Sequence, residues 1–230
     1  MIFSILIISI AVSAQGTYNF NVIKENPITS VKNQASTGTC WSFSGVALLE
    51  SELIRMNKGE FDLSDMYIVR KNYEDKAKKN ARLHGSINFS QGGSFADVVE
   101  TINDFGILPE EAYEGLSYGA ETHDHSELER VLAGYMNGVI ESRNLTPVWF
   151  NGFNAILDNY LGEVPATFIY DGEEFTPHSF AEYLELNQDD YVSLTSFTHH
   201  PFYKAFPIEV PDNWRWALSY NLPIDEFMEV

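Results

Sequence analysis

The sequence predicts an α+β chain, helical through most of its length, with β structure arriving late. Three observations carry that expectation. Helix-capping signatures recur along the chain, apolar residues follow them at helical spacing, and strand-like stretches are few and C-terminal. Ser94 with Asp97 three residues on is a variant of the capping box. Phe95, Val98, Val99 and Ile102 then fall at helical spacing, and Gly106 is the expected stop. Ser126 with Glu129 is a fuller box, opening a helix that carries Leu128, Val131 and Leu132. Thr146-Pro147 and Thr176-Pro177 each place a capping hydroxyl before a proline at the first helical position. Ser64 is expected to cap a helix through Met66, Ile68, Val69 and Tyr73. Residues 191–195 read as one strand and 207–210 as another. Residues 222–230 read as a helix start, with Ile224, Phe227 and Met228 on one face. No Gly, Asn or basic last turn closes that helix, so the expectation is of a chain cut inside an element.

Bulk properties narrow the function classes. A chain of 230 residues fits one large domain or two small ones, and 44% hydrophobic with 14% aromatic residues is ample for a packed core. The balance of 33 Asp+Glu against 14 Lys+Arg gives a net charge of −19, the wrong sign for a nucleic-acid or anionic-membrane surface. It fits a self-repelling, soluble surface, with some attraction for basic or amine-bearing substrates. Residues 2–12 form an apolar run too short to span a bilayer, and Val12-Ser13-Ala14 offers small residues before Gln15. Residues 1–14 are therefore read as a signal peptide, implying an exported protein, with 15–230 as the folded domain. The run lacks the usual Lys or Arg before it. A buried N-terminal segment in a cytoplasmic protein is the other reading.

The one cysteine, Cys40, excludes an intramolecular disulfide and any CxxC metal or redox motif. A lone cysteine is often a small buried hydrophobe, so its neighbours decide. In the run from Asn33 to Phe43, Gly38 and Thr39 supply a turn and a cap, and the largely apolar stretch from Trp41 to Leu49 follows as a buried helix. A thiol at that helix mouth meets unpaired N–H groups and the positive dipole end, which favour thiolate. Gln34 lies where a turn brings its amide beside the thiol. With the backbone N–H of Cys40 it would form an oxyanion hole.

Gln34, five intervening residues, then Cys40-Trp41 after a glycine resembles the motif of papain-like cysteine peptidases, with Thr39 in place of the usual Ser or Ala. Leu63-Ser64-Asp65-Met66-Tyr67, Gln91-Gly92-Gly93-Ser94, Gly106-Ile107-Leu108-Pro109 and Ala112-Tyr113 continue the resemblance. Thr176-Pro177, the run from Tyr191 to Ser196, Asp212-Asn213-Trp214 and Pro223-Ile224-Asp225 resemble the bleomycin hydrolase/aminopeptidase C branch. The likeness extends from Pro27 to Val230. It implies a papain-like fold with the helical domain present and the β domain incomplete. It also implies peptide-bond hydrolysis through a thioester, with Cys40 as nucleophile and Gln34 as oxyanion donor. Trp41, Gly92 and Gly93 are the implied substrate-binding residues, the glycine pair using its backbone. Aminopeptidase-type trimming of peptide substrates and a homo-oligomeric, usually hexameric, ring are implied for the full-length form. No cofactor and no metal are expected.

Such chemistry needs a histidine to pair with the thiolate and an Asn to orient it. By the resemblance both lie beyond Val230. His178 sits at a sequence distance from Cys40 that papain-type spacing would allow, but Thr176-Pro177-His178-Ser179 reads as an exposed helix start. His199-His200 and His123-Asp124-His125 are read as solvated loops, because adjacent side chains usually point apart and no third ligand stands at metal spacing. His84 reads as loop, and Asn88-Phe89-Ser90 as a chance glycosylation sequon. A non-catalytic peptide-binding fragment and a redox-sensing cysteine are the competing classes. The second is weakened by the lack of a resolving cysteine in the chain.

Overall fold

The computed structural model describes residues 20–230. The signal peptide read at residues 1–14 lies outside the described residues. Five helices form the first part of the fold: α1 (Cys40–Arg55), α2 (Asp65–Arg82), α3 (Phe95–Phe105), α4 (Ser126–Glu141) and α5 (Val148–Leu161). A hairpin of β1 (Phe168–Tyr170) and β2 (Glu173–Phe175) leads into α6 (Pro177–Leu184). The chain ends with β3 (Leu194–Thr195), β4 (Ala205–Pro207), β5 (Leu218–Asn221) and the single-turn α7 (Ile224–Phe227). These last strands make one sheet in the order β3-β5-β4, with β3 parallel and β4 antiparallel to β5. The α+β class and the late arrival of the three-stranded sheet agree with the sequence.

α2 is the central helix, packed against α1, α3, α4 and α5. Enclosure on so many sides explains why this charged helix buries Asp65, Arg70, Glu74 and Lys76. Arg70 Nε lies 3.0 Å from Glu74 Oε1, and its Nη2 lies 2.9 Å from Asp158 on α5, so the charges enter the core already paired. The aliphatic core runs through Val46, Leu49 and Leu53 of α1, Ile68 and Val69 of α2, and Val98 and Ile102 of α3. A second, aromatic part sets Phe180 of α6 against Phe168 at 5.3 Å, Tyr170 at 5.0 Å and Phe175 at 5.4 Å between ring centres.

Local signals set several boundaries as read. Ser64 Oγ accepts from Tyr67 N, Ser94 and Asp97 close a capping box, and Thr176 closes one with Ser179 behind Pro177. Gly106 ends α3 at φ 77°, where a Cβ would also meet the Pro177 backbone at 2.1 Å, so no side chain fits.

Other boundaries differ. Ser126 is the first residue of α4 and not its cap: His125 holds that place without a side-chain bond, and Ser126 N donates to Asp124 Oδ1. Glu129 closes no box with Ser126, and its Oε2 accepts instead from Gln91 Nε2 at 2.9 Å. Thr146 makes no capping bond and α5 opens at Val148. Strand β3 keeps only the last two of its expected residues, since only these pair with β5. β4 lies upstream of the expected 207–210, ending at Pro207, which has no N–H to continue a ladder. The β1–β2 hairpin and β5 were not foreseen.

α1 reaches α3 across Gly45. A Cβ there would sit 2.7 Å from Val98 Cγ2 and 3.2 Å from the Phe95 ring. Gly45→Ala gains about 1 kcal/mol of helix propensity but overpacks the contact by about 1–3 kcal/mol. A net loss of up to about 2 kcal/mol is expected in urea unfolding. An unchanged or raised midpoint would mean that the α1–α3 seam yields freely.

Candidate active site

Cys40 is the first residue of α1 and is exposed, while Trp41, Ser42, Gly45 and Val46 behind it are buried. The thiol thus stands at the N-terminal end of a helix whose body is fixed in the core. Thr39 occupies the cap position, but its hydroxyl pairs with Thr37 Oγ1 at 2.6 Å and makes no capping bond. The first N–H groups of α1 therefore lack a side-chain acceptor, which suits a helix mouth that must receive negative charge.

The loop before Cys40 is held from inside and outside. Gln34 Nε2 donates to Thr37 O at 2.6 Å, and Thr37 Oγ1 donates back to Gln34 O at 2.9 Å, closing a compact turn. One N–H of the Gln34 amide is used in that bond, and the amide carries two. From outside, Gln91 acts as a clamp. Its Oε1 accepts from Gly38 N at 2.7 Å, its backbone O accepts from Trp41 Nε1 at 2.9 Å, and its Nε2 donates to Glu129. Gln91 was not singled out from the sequence as a positioning residue; its place directly before Gly92-Gly93 was the available signal.

The structure brings the glycine pair to the same place. A Cβ on Gly93 would lie 2.7 Å from the Trp41 ring, and one on Gly92 would lie 2.2 Å from Asp212 Oδ1. At Gly93 the buried Trp41 ring leaves no room for a side chain, while at Gly92 the exposed Asp212 carboxylate would have to move aside. Lys76, buried in α2, fixes the segment by donating to Ser90 O at 2.8 Å and Gly92 O at 2.6 Å. Burial pulls the Lys76 ammonium down to about 8, against the attraction of Asp97 and Asp212. A cavity of about 380 Å³ opens beyond the glycines, between Ser94, Phe95 and Val99 on one side and Ile208, Val210 and Leu218 on the other.

The histidines lie elsewhere or are otherwise engaged. His178 is exposed in the first turn of α6, beside Gly106, at the far end of α3 from the Gly93–Trp41 contact. An 11-residue helix separates the two ends by about 16 Å. The segment 123–125 runs beside the loop before Cys40, with Ser36 N donating to His123 O at 3.0 Å and His125 N donating to Ser36 O at 3.3 Å. The His125 ring is fully buried, and burial beside His123 pulls it down to about 4, so it is held neutral. His199 and His200 sit on the turn between β3 and β4, close to Glu209. Among the described residues no hydrogen bond joins a histidine ring to the Cys40 sulfur.

The exposed thiol at a helix mouth, the glutamine turn before it and the glycine edge beside it thus stand together. The chain belongs to the papain family of cysteine proteases, whose family model matches residues 17–145. Aminopeptidase G of Lactobacillus delbrueckii subsp. lactis is 26% identical over 249 aligned positions, covering 89% of this chain and 56% of that protein. The viral cathepsin of Lymantria dispar multicapsid nuclear polyhedrosis virus is 30% identical over 70 residues, 30% of this chain and 20% of its own. Among solved structures, PepW from Lactobacillus rhamnosis HN001 superposes with a TM-score of 0.68 at 19% identity, over 87% of this chain and 55% of that one. That likeness shows the papain-like fold. The chain spans about half the length of Aminopeptidase G and of PepW.

Proposed function

We propose that this chain carries the nucleophile of a cysteine-type peptidase that trims peptides from their N-termini, in the bleomycin hydrolase/aminopeptidase C branch. The observation that carries the reading is Cys40, exposed at the first residue of a buried helix with Gln34 and Gly92-Gly93 in the loops its own helix contacts. The likeness to Aminopeptidase G along most of the chain supports the aminopeptidase character. In the proposed reaction the Cys40 thiolate attacks the scissile carbonyl carbon. The oxyanion takes the remaining Gln34 N–H and the Cys40 backbone N–H. The thiol proton, held by a histidine as imidazolium, passes to the leaving amine as the C–N bond breaks, and water then hydrolyses the thioester. Trp41, Gly92 and Gly93 line the substrate's path, and the acidic surface favours a free amino terminus. Export by way of residues 1–14 and assembly into a homo-oligomeric ring belong to the same proposal.

A second reading, peptide binding without turnover, is favoured by one observation: no histidine ring is hydrogen-bonded to Cys40 among the described residues. Both readings are tested on the purified full-length protein, with an aminoacyl-arylamide, its N-acetylated counterpart and iodoacetamide. The peptidase reading expects cleavage of the free-amine substrate only, and loss of both cleavage and labelling in Cys40→Ser. Labelling of Cys40 with saturable peptide binding and no cleavage moves the assignment to the second reading. Neither labelling nor binding overturns both.

A further inference from the structure

The sequence offers His199-His200 as a pair without a third metal ligand, and the structure supplies one. His199 and His200 lie in a turn, not in extended chain, so their rings do not alternate to opposite faces. The ring centres are 4.5 Å apart at 56°. Glu209, just past the end of β4, comes back to the same point. One ligand atom from each of the three side chains lies within 4.8 Å of the other two. His200 Nε2 is buried without a hydrogen-bond partner, an unsatisfied polar atom that metal coordination would explain.

The turn is also braced as a ligand-bearing turn should be. Asn221, fully buried on β5, donates from Nδ2 to His200 O at 3.1 Å, to Pro201 O at 3.2 Å and to Phe197 O at 2.9 Å, and accepts from Phe197 N at 2.8 Å. The His200 ring stacks on Phe206 of β4 at 3.7 Å, which restricts its rotation. Backbone and one ring are thus fixed before any ion arrives, which lowers the ordering cost of binding.

We propose that His199, His200 and Glu209 form a site for a divalent transition-metal ion of the zinc type. Two imidazoles and one carboxylate suit zinc and leave a fourth position for water or another donor. Tetrahedral zinc holds its ligand atoms about 3.3 Å apart, so the three groups need close by no more than about 1.5 Å through side-chain rotation. The bound ion ties the turn before β4 to the segment after it. Ile208 and Val210, the neighbours of Glu209, line the cavity beside the glycine pair, so the site staples that wall of the cleft. It stands apart from the Cys40 chemistry and does not depend on the peptidase reading.

The test is calorimetric titration of the full chain with zinc chloride, with Co2+ absorption as a geometric probe. A Cys40→Ser background keeps the thiol out of the reading. One ion per chain with a micromolar or tighter Kd is expected. Glu209→Gln and His199→Ala should each weaken binding at least tenfold, and His178→Ala should leave it unchanged. The two ligand variants change exposed side chains, and circular dichroism confirms that each is folded. Saturable binding that either ligand variant retains at parent affinity overturns the site, as does the absence of saturable binding in the parent.

Discussion

Replacing Lys32 with methionine is expected to destabilise the fold by about 3–5 kcal/mol near neutral pH, because it strands buried carboxylates without their cation. Lys32 Nζ reaches Glu50 Oε1 at 2.7 Å, Asp62 Oδ1 at 2.8 Å, Asp65 Oδ2 at 3.7 Å and the Leu63 carbonyl at 3.0 Å. Glu50 is 0% exposed on α1, and Asp65 is 2% exposed at the start of α2. Glu50 Oε1 also accepts from Leu63 N at 2.8 Å, so one carboxylate oxygen ties the entry of α2 to the helix that carries Cys40. Burial works against the charge on Lys32, but attraction by Asp65, Asp62 and Glu50 overrides it and holds the ammonium above the ordinary lysine range. Asp65 is settled the other way. Its deeper burial outweighs the pull of Lys32 and raises its carboxyl to about 7, and burial with repulsion from Asp65 raises Glu110 to about 8.

These shifts fix the pH dependence. Both carboxyls hold their proton more tightly folded than unfolded, so their contribution is full below about pH 4 and is lost as pH rises through about 7 to 8. Without Lys32 the charged forms are costlier still. The loss in Lys32→Met should therefore be greatest at about pH 8 and shrink at about pH 5, where protonation removes the stranded charge. Urea unfolding of parent and variant at both pH values measures this. An equal loss at both would show that the lysine acts through packing and not through charge.

What the sequence disclosed depended on how local each feature is. The caps at Ser64, Ser94 and Thr176 and the helix mouth at Cys40 are decided within a few residues, and the structure has them as read. Ser126-Glu129 has the same local form, yet it closes no box, and the Glu129 carboxylate accepts instead from Gln91 across 38 positions of sequence. The β1–β2 hairpin had a usable signal. Asp171 and Gly172, at φ 49° and 83°, make the Asp-Gly turn that favours a tight hairpin, but three-residue strands gave the alternation too little length to register. β5 was missed because Leu218 and Tyr220 point outward and only Ser219 and Asn221 inward, an alternation that is polar on the buried face. Asn221 is buried there to brace the His199-His200 turn, which no local pattern could announce. At the candidate site the placement of Cys40 at a helix mouth was legible from the residues before it. The clamps Gln91 and Lys76 were not, since their partners are carbonyls and amides that carry no sequence signature.

Arg215→Ala is expected to detach the sheet from the helices before it unfolds the helices themselves. The guanidinium reaches three acids on two helices: Asp97 Oδ1 at 2.9 Å, Asp75 Oδ2 at 3.1 Å and Glu100 Oε2 at 3.7 Å. It also stacks on the Trp214 ring at 4.4 Å. Asp97 is 1% exposed, and its other oxygen accepts from Ser94 N at 2.6 Å to cap α3. One carboxylate therefore serves both the helix that follows the glycine pair and the segment leading into β5. Burial already raises Asp97, and removing Arg215 leaves a buried charge with the cap and the more distant Lys76 alone to offset its burial. A loss of about 3–4 kcal/mol follows. It should not be uniform, because β3, β4 and β5 are only two to four residues long and bury little of their own surface. Amide exchange should accelerate at 205–206 and 218–221 while α1 and α2 keep their protection. Arg215→Lys keeps the charge but loses the planar fork that spans Asp97 and Asp75, so it should fall between parent and Ala. Exchange that rises equally in α2 and β5 would mean that sheet and helices unfold as one unit. The cleft wall formed by Ile208, Val210 and Leu218 would then owe its position to the whole core, and Arg215 would be one contact among many.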